Sequence, residues 1–389
     1  MRFHLRVGVL ALALTSLIAW AEDAVDLSTR PTGTLEVVAR FDGPGPSGIA
    51  VTPNGRVFVG FPRHAEDHKG ATLAELVQGT LVPFPNAAMS LPSNAPAAQR
   101  LLSVHGMTTD TQGNVWVIDD GKRAGIQGIP DGGAKVVGFN PATREVIASV
   151  VLRAPALLPD SHLNDLRVDL THGAKGTAYI SDSSFGTSPA LVVVDLATGR
   201  QRRVLSTHPS TQPEQDFLAV LEGKPLRYDP KHPTFPVGGA DGIALSTDSR
   251  RLYYAPLTSR RLYSIPTDVV SDLDATEPTL AAAVKDEGEK GFADGLAMDA
   301  QDRLYITDGE HHSILRRWPD GHFDVVARDA RIVWPDGIFA TAGHVYVTLG
   351  QWNRLPSFNG GKDLREPPYL LMRAPLEATA PVDATRTKK

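Results

Sequence analysis

The sequence predicts an all-β protein, a six-bladed β-propeller, and three observations predict it. One motif recurs six times along the chain. Further pairs of strand-like runs lie between the copies. Glycine and proline number 35 and 30 in 389 residues, the mark of a chain rich in turns rather than in long helices.

The six copies are PSGIAVTPNGRVFVGF (46–61), VHGMTTDTQGNVWVID (104–119), NDLRVDLTHGAKGTAYISD (164–182), ADGIALSTDSRRLYYAP (240–256), ADGLAMDAQDRLYITD (293–308) and PDGIFATAGHVYVTL (335–349). Each opens on a small or polar pair, runs through alternating apolar residues, turns at Asn, Asp or Gly, and ends in a β-rich run. Alternation on both sides of a turn is the signature of a hairpin. Between copies lie AKVVGFNPATREVIASVVL (134–152), ALVVVDLATGRQRRVLS (190–206) and SILRRWPDGHFDVVAR (313–328), each a second hairpin. A repeating unit of about four short strands is a propeller blade. GTLEVVARF (33–41) and PYLLMRAP (368–375) are strands at the two ends. One completes the other's blade and so hides an exposed edge. The insertions 61–100 and 207–239 carry many prolines and little alternation. They read as loops or short helices over one face, placed to cover a pocket.

Residues 1–21 read as a signal peptide. Arg2 and Arg6 precede an apolar run from Val7 to Trp20, and Ala19-Trp20-Ala21 fits a small-x-small cleavage site. The mature chain then starts near Glu22 and is periplasmic or secreted. A single propeller domain spans 22–376, and 377–389 is a flexible tail. The formal net charge is -5, which gives no surface for nucleic acid. No membrane contact is expected after cleavage, and a monomer is the working expectation. With no cysteine, thiolate metal sites and catalytic thiols are excluded. No phosphate loop, GxSxG elbow or HEXXH motif appears.

The residue before the aligned glycine in each copy gives the column Ser47, His105, Asp165, Asp241, Asp294, Asp336, with Leu166 in the glycine position of the third copy. In a propeller this segment begins the innermost strand, so the six positions converge on the central axis, with Asn164 beside them. Carboxylates brought together repel and raise one another's pKa. A bound cation, buried arginines or backbone N–H groups must compensate. Oxygen-rich donors favour Ca²⁺ over Mg²⁺ or Zn²⁺, while His105 leaves a transition metal open. A second column, Asp119, Asp182 and Asp308, stands at strand exits and reads as turn-organising. His311-His312 reads as turn surface. Phe58, Trp116, Tyr179, Tyr253, Tyr305 and Tyr346 recur at one strand position and read as packing between blades. Trp334, Trp352 and Phe84 are candidates for lining a cleft.

The mature chain resembles the major royal jelly protein/yellow family in NVWVIDDGK, GTAYISDSSFG, DGIALSTDSRRLYYAPLTSRRLYSIPTDVV and LVPFPNAAM. The resemblance implies a six-bladed propeller related in fold to gluconolactonase-like lactonases. Those hold a divalent cation with one Glu, two Asn and one Asp. Carried across, Asp336 takes the place of the Asp ligand and Asn164 that of the first Asn. Asp241 or Asp294 stands at the second Asn or as a supporting carboxylate. The Glu falls near Ser47 and is missing. Yellow-type relatives are linked to pigment chemistry, and others bind ligands or serve as secreted nutrient proteins.

The reading that follows is a metal-dependent hydrolase of a lactone or related small cyclic ester. Asn164, Asp165 and Asp336 would hold the metal, and Asp241 or Asp294 would accept the proton. His105 would assist proton transfer, and Ser47 and Trp334 would contact the substrate. The alternative is a secreted or periplasmic protein that binds a small amine-like molecule at the carboxylates without catalysis. A third class is an interaction scaffold carrying an exposed apolar patch.

Overall fold

The computed structural model describes residues 28–184, 188–226 and 238–376. The expected leader and the tail at 377–389 lie outside the described residues. Alternating short runs pair into six four-stranded antiparallel sheets arranged as a ring, a six-bladed propeller. Strand β1 is Glu36–Phe41. Blade one is β2 (Ile49–Val51), β3 (Val57–Gly60), β4 (Leu73–Val77) and β5 (Thr80–Pro83). Helix α1 (Ala87–Ser90) follows. Blade two is β6 (Val104–Thr109), β7 (Val115–Asp119), β8 (Lys135–Phe139) and β9 (Val146–Val151). Blade three is β10 (Leu163–Asp169), β11 (Thr177–Asp182), β12 (Ala190–Asp195) and β13 (Gln201–Val204).

A two-stranded hairpin, β14 (Val220–Leu221) with β15 (Lys224–Pro225), precedes blade four. That blade is β16 (Ala240–Leu245), β17 (Arg251–Pro256), β18 (Arg261–Pro266) and, after helices α2 (Thr267–Val270) and α3 (Glu277–Ala283), β19 (Lys285–Glu289). Blade five is β20 (Leu296–Met298), β21 (Leu304–Asp308), β22 (Ser313–Arg317) and β23 (Phe323–Arg328). Blade six is β24 (Pro335–Ala340), β25 (His344–Leu349) and β26 (Tyr369–Pro375). Its fourth, outermost strand is β1, from the other end of the chain. The ring is therefore closed by pairing the two ends, as expected, and the outer edge of β26 is covered.

The insertion 61–100 does not behave as expected. It supplies β4 and β5, the outer half of blade one. The alternation there is masked because β4 carries Glu75 on a buried face, where Arg56 and Arg144 hold it at 2.6 and 2.8 Å. The second insertion is a 3-10 turn at Pro209–Thr211 and the β14–β15 hairpin, and its residues 227–237 lie outside the described residues.

Side chains on facing sheets interdigitate between blades. Trp116 and Ile118 of blade two pack on Leu166, Ile180 and Val192 of blade three. The aromatic column sits here as expected, with a polar device the sequence also carries. Trp116 donates to Asp110 at 2.8 Å, Tyr179 to Asp169 at 3.3 Å and Tyr305 to Asp299 at 2.9 Å. Each acceptor closes the turn after its inner strand, so a buried polar tip is satisfied. Blade four has Ser246 at that turn, and Tyr253 stays half-buried.

Candidate functional site

The six inner strands β2, β6, β10, β16, β20 and β24 pack side by side around the axis. In blades two, three, four and six the ladder slips near the start of that strand. Val104 pairs with Asp119 and Met107 with Val117, so His105 and Gly106 together face Ile118. The same slip lies between Leu163 and Leu166, Ala240 and Ile243, and Pro335 and Ile338. A bulge of this kind re-aims a side chain. Here it turns one polar residue per blade into the channel.

The glycine that follows has a steric reason. A Cβ on Gly48 would lie 2.2 Å from the His105 carbonyl oxygen, one on Gly106 2.5 Å from that of Asn164, and one on Gly242 2.5 Å from that of Asp294. Gly295 would meet the Asp336 oxygen at 2.2 Å, and Gly337 that of Ser47 at 2.2 Å. Each glycine admits the backbone of the next blade.

This register corrects the polar column. Leu166 pairs like Met107, Ile243 and Ile338. Asn164 is therefore the third member of the ring, and Asp165 occupies the glycine position. The expected placement of Asp165 in the column is off by one residue, because the third copy lacks the glycine that marks the slip in the other copies. The Asp165 carboxyl lies over Gly106. The observed ring is Ser47, His105, Asn164, Asp241, Asp294 and Asp336, all buried.

Two indoles fix two of the carboxylates. Trp334 Nε1 donates to Asp294 Oδ2 at 2.5 Å, and Trp352 Nε1 to Asp336 Oδ2 at 2.6 Å. Trp334 is 2% exposed and stands in the left-handed backbone region at φ 45°, packed edge-on against Phe292. Its N–H is spent on Asp294 and so positions that carboxyl. The Ser47 hydroxyl hydrogen-bonds Asp336, and Ser47 brings no carboxylate where the lactonase pattern has a Glu.

Among the described residues, neither oxygen of Asp241 meets an N–H or O–H donor. The carboxyl of Asp294 lies within hydrogen-bonding reach of it. Burial, and then Asp294, Asp165 and Asp336, push Asp241 well above the usual carboxylate range. Burial raises Asp294 to about 6 against the pull of Trp334, Asp241 and Lys290. Burial likewise takes Asp165 to about 7 although Arg167 opposes it, and lifts Asp336 well above its ordinary value. Arg167 and Lys290 answer part of the negative charge. Arg167 spans the axis, donating to the Leu166 carbonyl at 2.6 Å and the Leu296 carbonyl at 2.5 Å. Lys290 is buried, donates to the Ser259 and Gly291 carbonyls, and is lowered to about 7 by burial, with Asp241 acting against that.

Three imidazoles gather at the same end. One ring nitrogen from each of His64, His105 and His162 lies within 4.8 Å of the others, with centroids 4.6, 4.6 and 5.0 Å apart. His64 also neighbours Trp352 at 6.5 Å. Burial, and then His64, lower His105 to about 3 and His162 well below its ordinary value, so both are neutral at physiological pH. His162 precedes Asn164 by two residues, and alternate residues of a strand share a face. The string SHLND thus held a signal for it. His64 and Asp120 had none, since each lies in a loop outside the strands and they meet only when blade two packs on blade one.

The second acidic column organises turns, as expected. Asp119 accepts from the backbone of Leu102, Ser103 and Gly121 and from Lys135 at 2.8 Å. Asp182 accepts from His162 N, Ser184 N and Arg203. Asp308 holds His311 and Ser313. Among the described residues, no helix is long and apolar enough to cross a membrane.

Fold and site define a six-bladed propeller whose channel carries a ring of buried polar groups beside a cluster with metal-ligating character. Residues 102–359, more than half of the chain, match the model described as major royal jelly protein. The chain belongs to that family. A search of the curated proteins found no match. Among solved structures, the chain is similar to a gluconolactonase from Xanthomonas campestris, at 13% identity and TM-score 0.50 over 88% of this chain and 90% of that one. It is also similar to a luciferin-regenerating enzyme, at 10% identity and TM-score 0.52 over 88% of this chain and 95% of that one. At such identities the likeness is one of fold.

Proposed function

We propose that the protein is a metal-dependent hydrolase of a lactone or a related small cyclic ester. What carries this reading is the meeting, at one end of the channel, of acid–base carboxyls with donors suited to a cation. Asn164 and Asp336 offer oxygen there, and His64, His105 and His162 offer nitrogen. A divalent cation in that place would polarise the ester carbonyl and lower the pKa of water. Asp294, at about 6, accepts a proton near neutral pH. The Trp334 N–H holds it in place. Asp241, whose protonated form is favoured by burial and then by the neighbouring carboxyls, hands a proton to the leaving alkoxide. Asp165, one register step away and opposite Arg167, serves the balance of charge rather than the ligand set. The leader-like residues 1–21 support export to the periplasm or beyond, which predicts a mature N-terminus at Glu22.

The test is a panel of small lactones followed by acid release. Turnover is expected to vanish on exhaustive treatment with EDTA and to fall by about 10²-fold or more in Asp294→Asn. Turnover that survives both would overturn the reading. A second reading, capture of an amine-like ligand without catalysis, is favoured by the donorless carboxyl of Asp241. It expects a simple alkylamine to bind metal-free protein in calorimetry, with no lactone turned over. Absence of that heat removes it.

A further inference from the structure

We propose that His64, His105 and His162 form a three-imidazole site for a borderline dication of the zinc type, and that Asp120 positions His64 for it. The inference rests on the hydrolase reading only in placing the metal at the same end of the channel. It departs from the oxygen-ligated calcium that the sequence alone favours.

The tautomers carry the argument. His105 Nδ1 lies 3.0 Å from the Leu163 carbonyl oxygen. A carbonyl only accepts, so Nδ1 bears the hydrogen and Nε2 bears a lone pair. His64 Nδ1 lies 2.9 Å from Asp120 Oδ2, which places a hydrogen on Nδ1, so it is Nε2 that is left to bind a metal. A carboxylate behind an imidazole is the usual support of a metal-binding histidine, since it fixes the tautomer and raises basicity. Asp120 is wholly buried and accepts from the Lys122 backbone at 2.9 Å, so its own direction is set. The rings of His64, His105 and His162 meet in one cluster, half-buried at His64 and buried at the other two, and a cation there would take up the lone pairs.

The scaffold beneath is built. Arg63, 1% exposed, donates to the carbonyls of His68, Leu102, Gly70 and Ser90. It thereby pins the segment that carries His64. The backbone of His162 is held by Asp182 at 2.8 Å, and Asp182 is in turn bridged by Arg203 at 2.6 Å. Ligand nitrogens around a tetrahedral dication with metal–nitrogen bonds of about 2.0–2.1 Å stand roughly 3.4 Å apart. From within 4.8 Å of one another, small side-chain rotations close the set. Three imidazoles suit zinc-class ions, whereas calcium asks for about six to eight oxygens. Three protein ligands leave a fourth position open, the arrangement of catalytic rather than structural zinc sites. His64 lies outside the segment 102–359 that matches the family model.

The test is titration of chelator-stripped protein with Co²⁺, read by visible absorption. We expect a tetrahedral-type band that saturates at one equivalent per chain and is displaced by Zn²⁺ but not by Ca²⁺. His64→Ala and His105→Ala abolish it while their circular dichroism matches the parent. Asp120→Asn weakens it by about 10–100-fold. A band that survives both histidine variants, or no band at all, would overturn the site. One equivalent of bound metal with no lactone turned over would sink the hydrolase reading and leave this one standing.

Discussion

Gly337→Ala isolates the packing rule on which the channel depends. The new Cβ would stand 2.2 Å from the Ser47 carbonyl oxygen and 3.1 Å from Thr348 Oγ1. The first contact is with backbone, so no side-chain rotation relieves it. Ser47 belongs to blade one and Gly337 to blade six, so the clash falls on the seam that closes the ring. Overpacking of this kind costs typically 1–3 kcal/mol, and a backbone clash belongs at the upper end, about 3 kcal/mol. At about 2 °C per kcal/mol for a chain of this size, the midpoint falls by roughly 6 °C. The control is Gly343→Ala, whose Cβ meets nothing within 4 Å and whose shift stays within about 1 °C. Scanning calorimetry at one fixed scan rate compares the two. Equal midpoints for Gly337→Ala and the parent would refute the claim that the glycines exist to admit the next blade.

Asp299→Ala removes the acceptor of Tyr305 at 2.9 Å and of Arg303 at 2.5 Å, both buried. A loss of about 3 kcal/mol is expected from denaturant unfolding, against about zero for Tyr253→Phe, which has no such carboxylate. Lys135→Met leaves Asp119 buried without its counter-charge, held by backbone N–H groups alone; it destabilises by about 3 kcal/mol, and a variant as stable as the parent would mean that the ion pair contributes nothing. His172 supplies a pH effect. Burial alone would lower its pKa, but hydrogen bonds to Asp268 and Asp169 raise it above 6.5. A folded pKa above the unfolded one gives stability that is full below pH 6.5 and lost as pH rises through the folded value. His172→Gln should therefore melt lower than the parent in acid and match it in alkali, and the reverse pattern would refute the pairing.

The fold was legible because a hairpin repeat is written in short-range alternation. Six copies of the inner hairpin and three of the outer one stand in the sequence. The missing strands have physical excuses. Strand β19, Lys285–Glu289, is an outermost strand of charged residues, which protects an edge and erases the apolar signal. Strand β4 buries Glu75 against two arginines instead of an apolar side chain. The convergence of Asp241, Asp294 and Asp336 was also legible, since equal positions in equal blades must meet at the axis. Asp165 was misplaced because the third copy lacks the glycine that marks the slip in the other copies, Asp165 itself standing at that position. His64, Asp120 and Trp352 reach the site through ring closure and loop packing, which no local pattern encodes.

Arg167 tests why a ring of buried acids can exist at all. A four-carboxyl cluster stays folded only if protons or cations share it, and the Arg167 guanidinium acts on Asp165. It also ties blade three to blade five through its bonds to the Leu166 and Leu296 carbonyls. Replacement by Leu removes both the counter-charge and a brace across the axis. Two charge-assisted hydrogen bonds are at stake, so a loss on the order of 2 kcal/mol is expected. Lysine keeps the charge but is a single point on a flexible stem and cannot reproduce the two-pronged grip. Arg167→Lys should accordingly recover less than half of that loss in denaturant unfolding. Full recovery by Lys would mean that charge alone matters and that the brace across the channel contributes nothing. Full stability in Arg167→Leu would mean that the acids are balanced by protons alone.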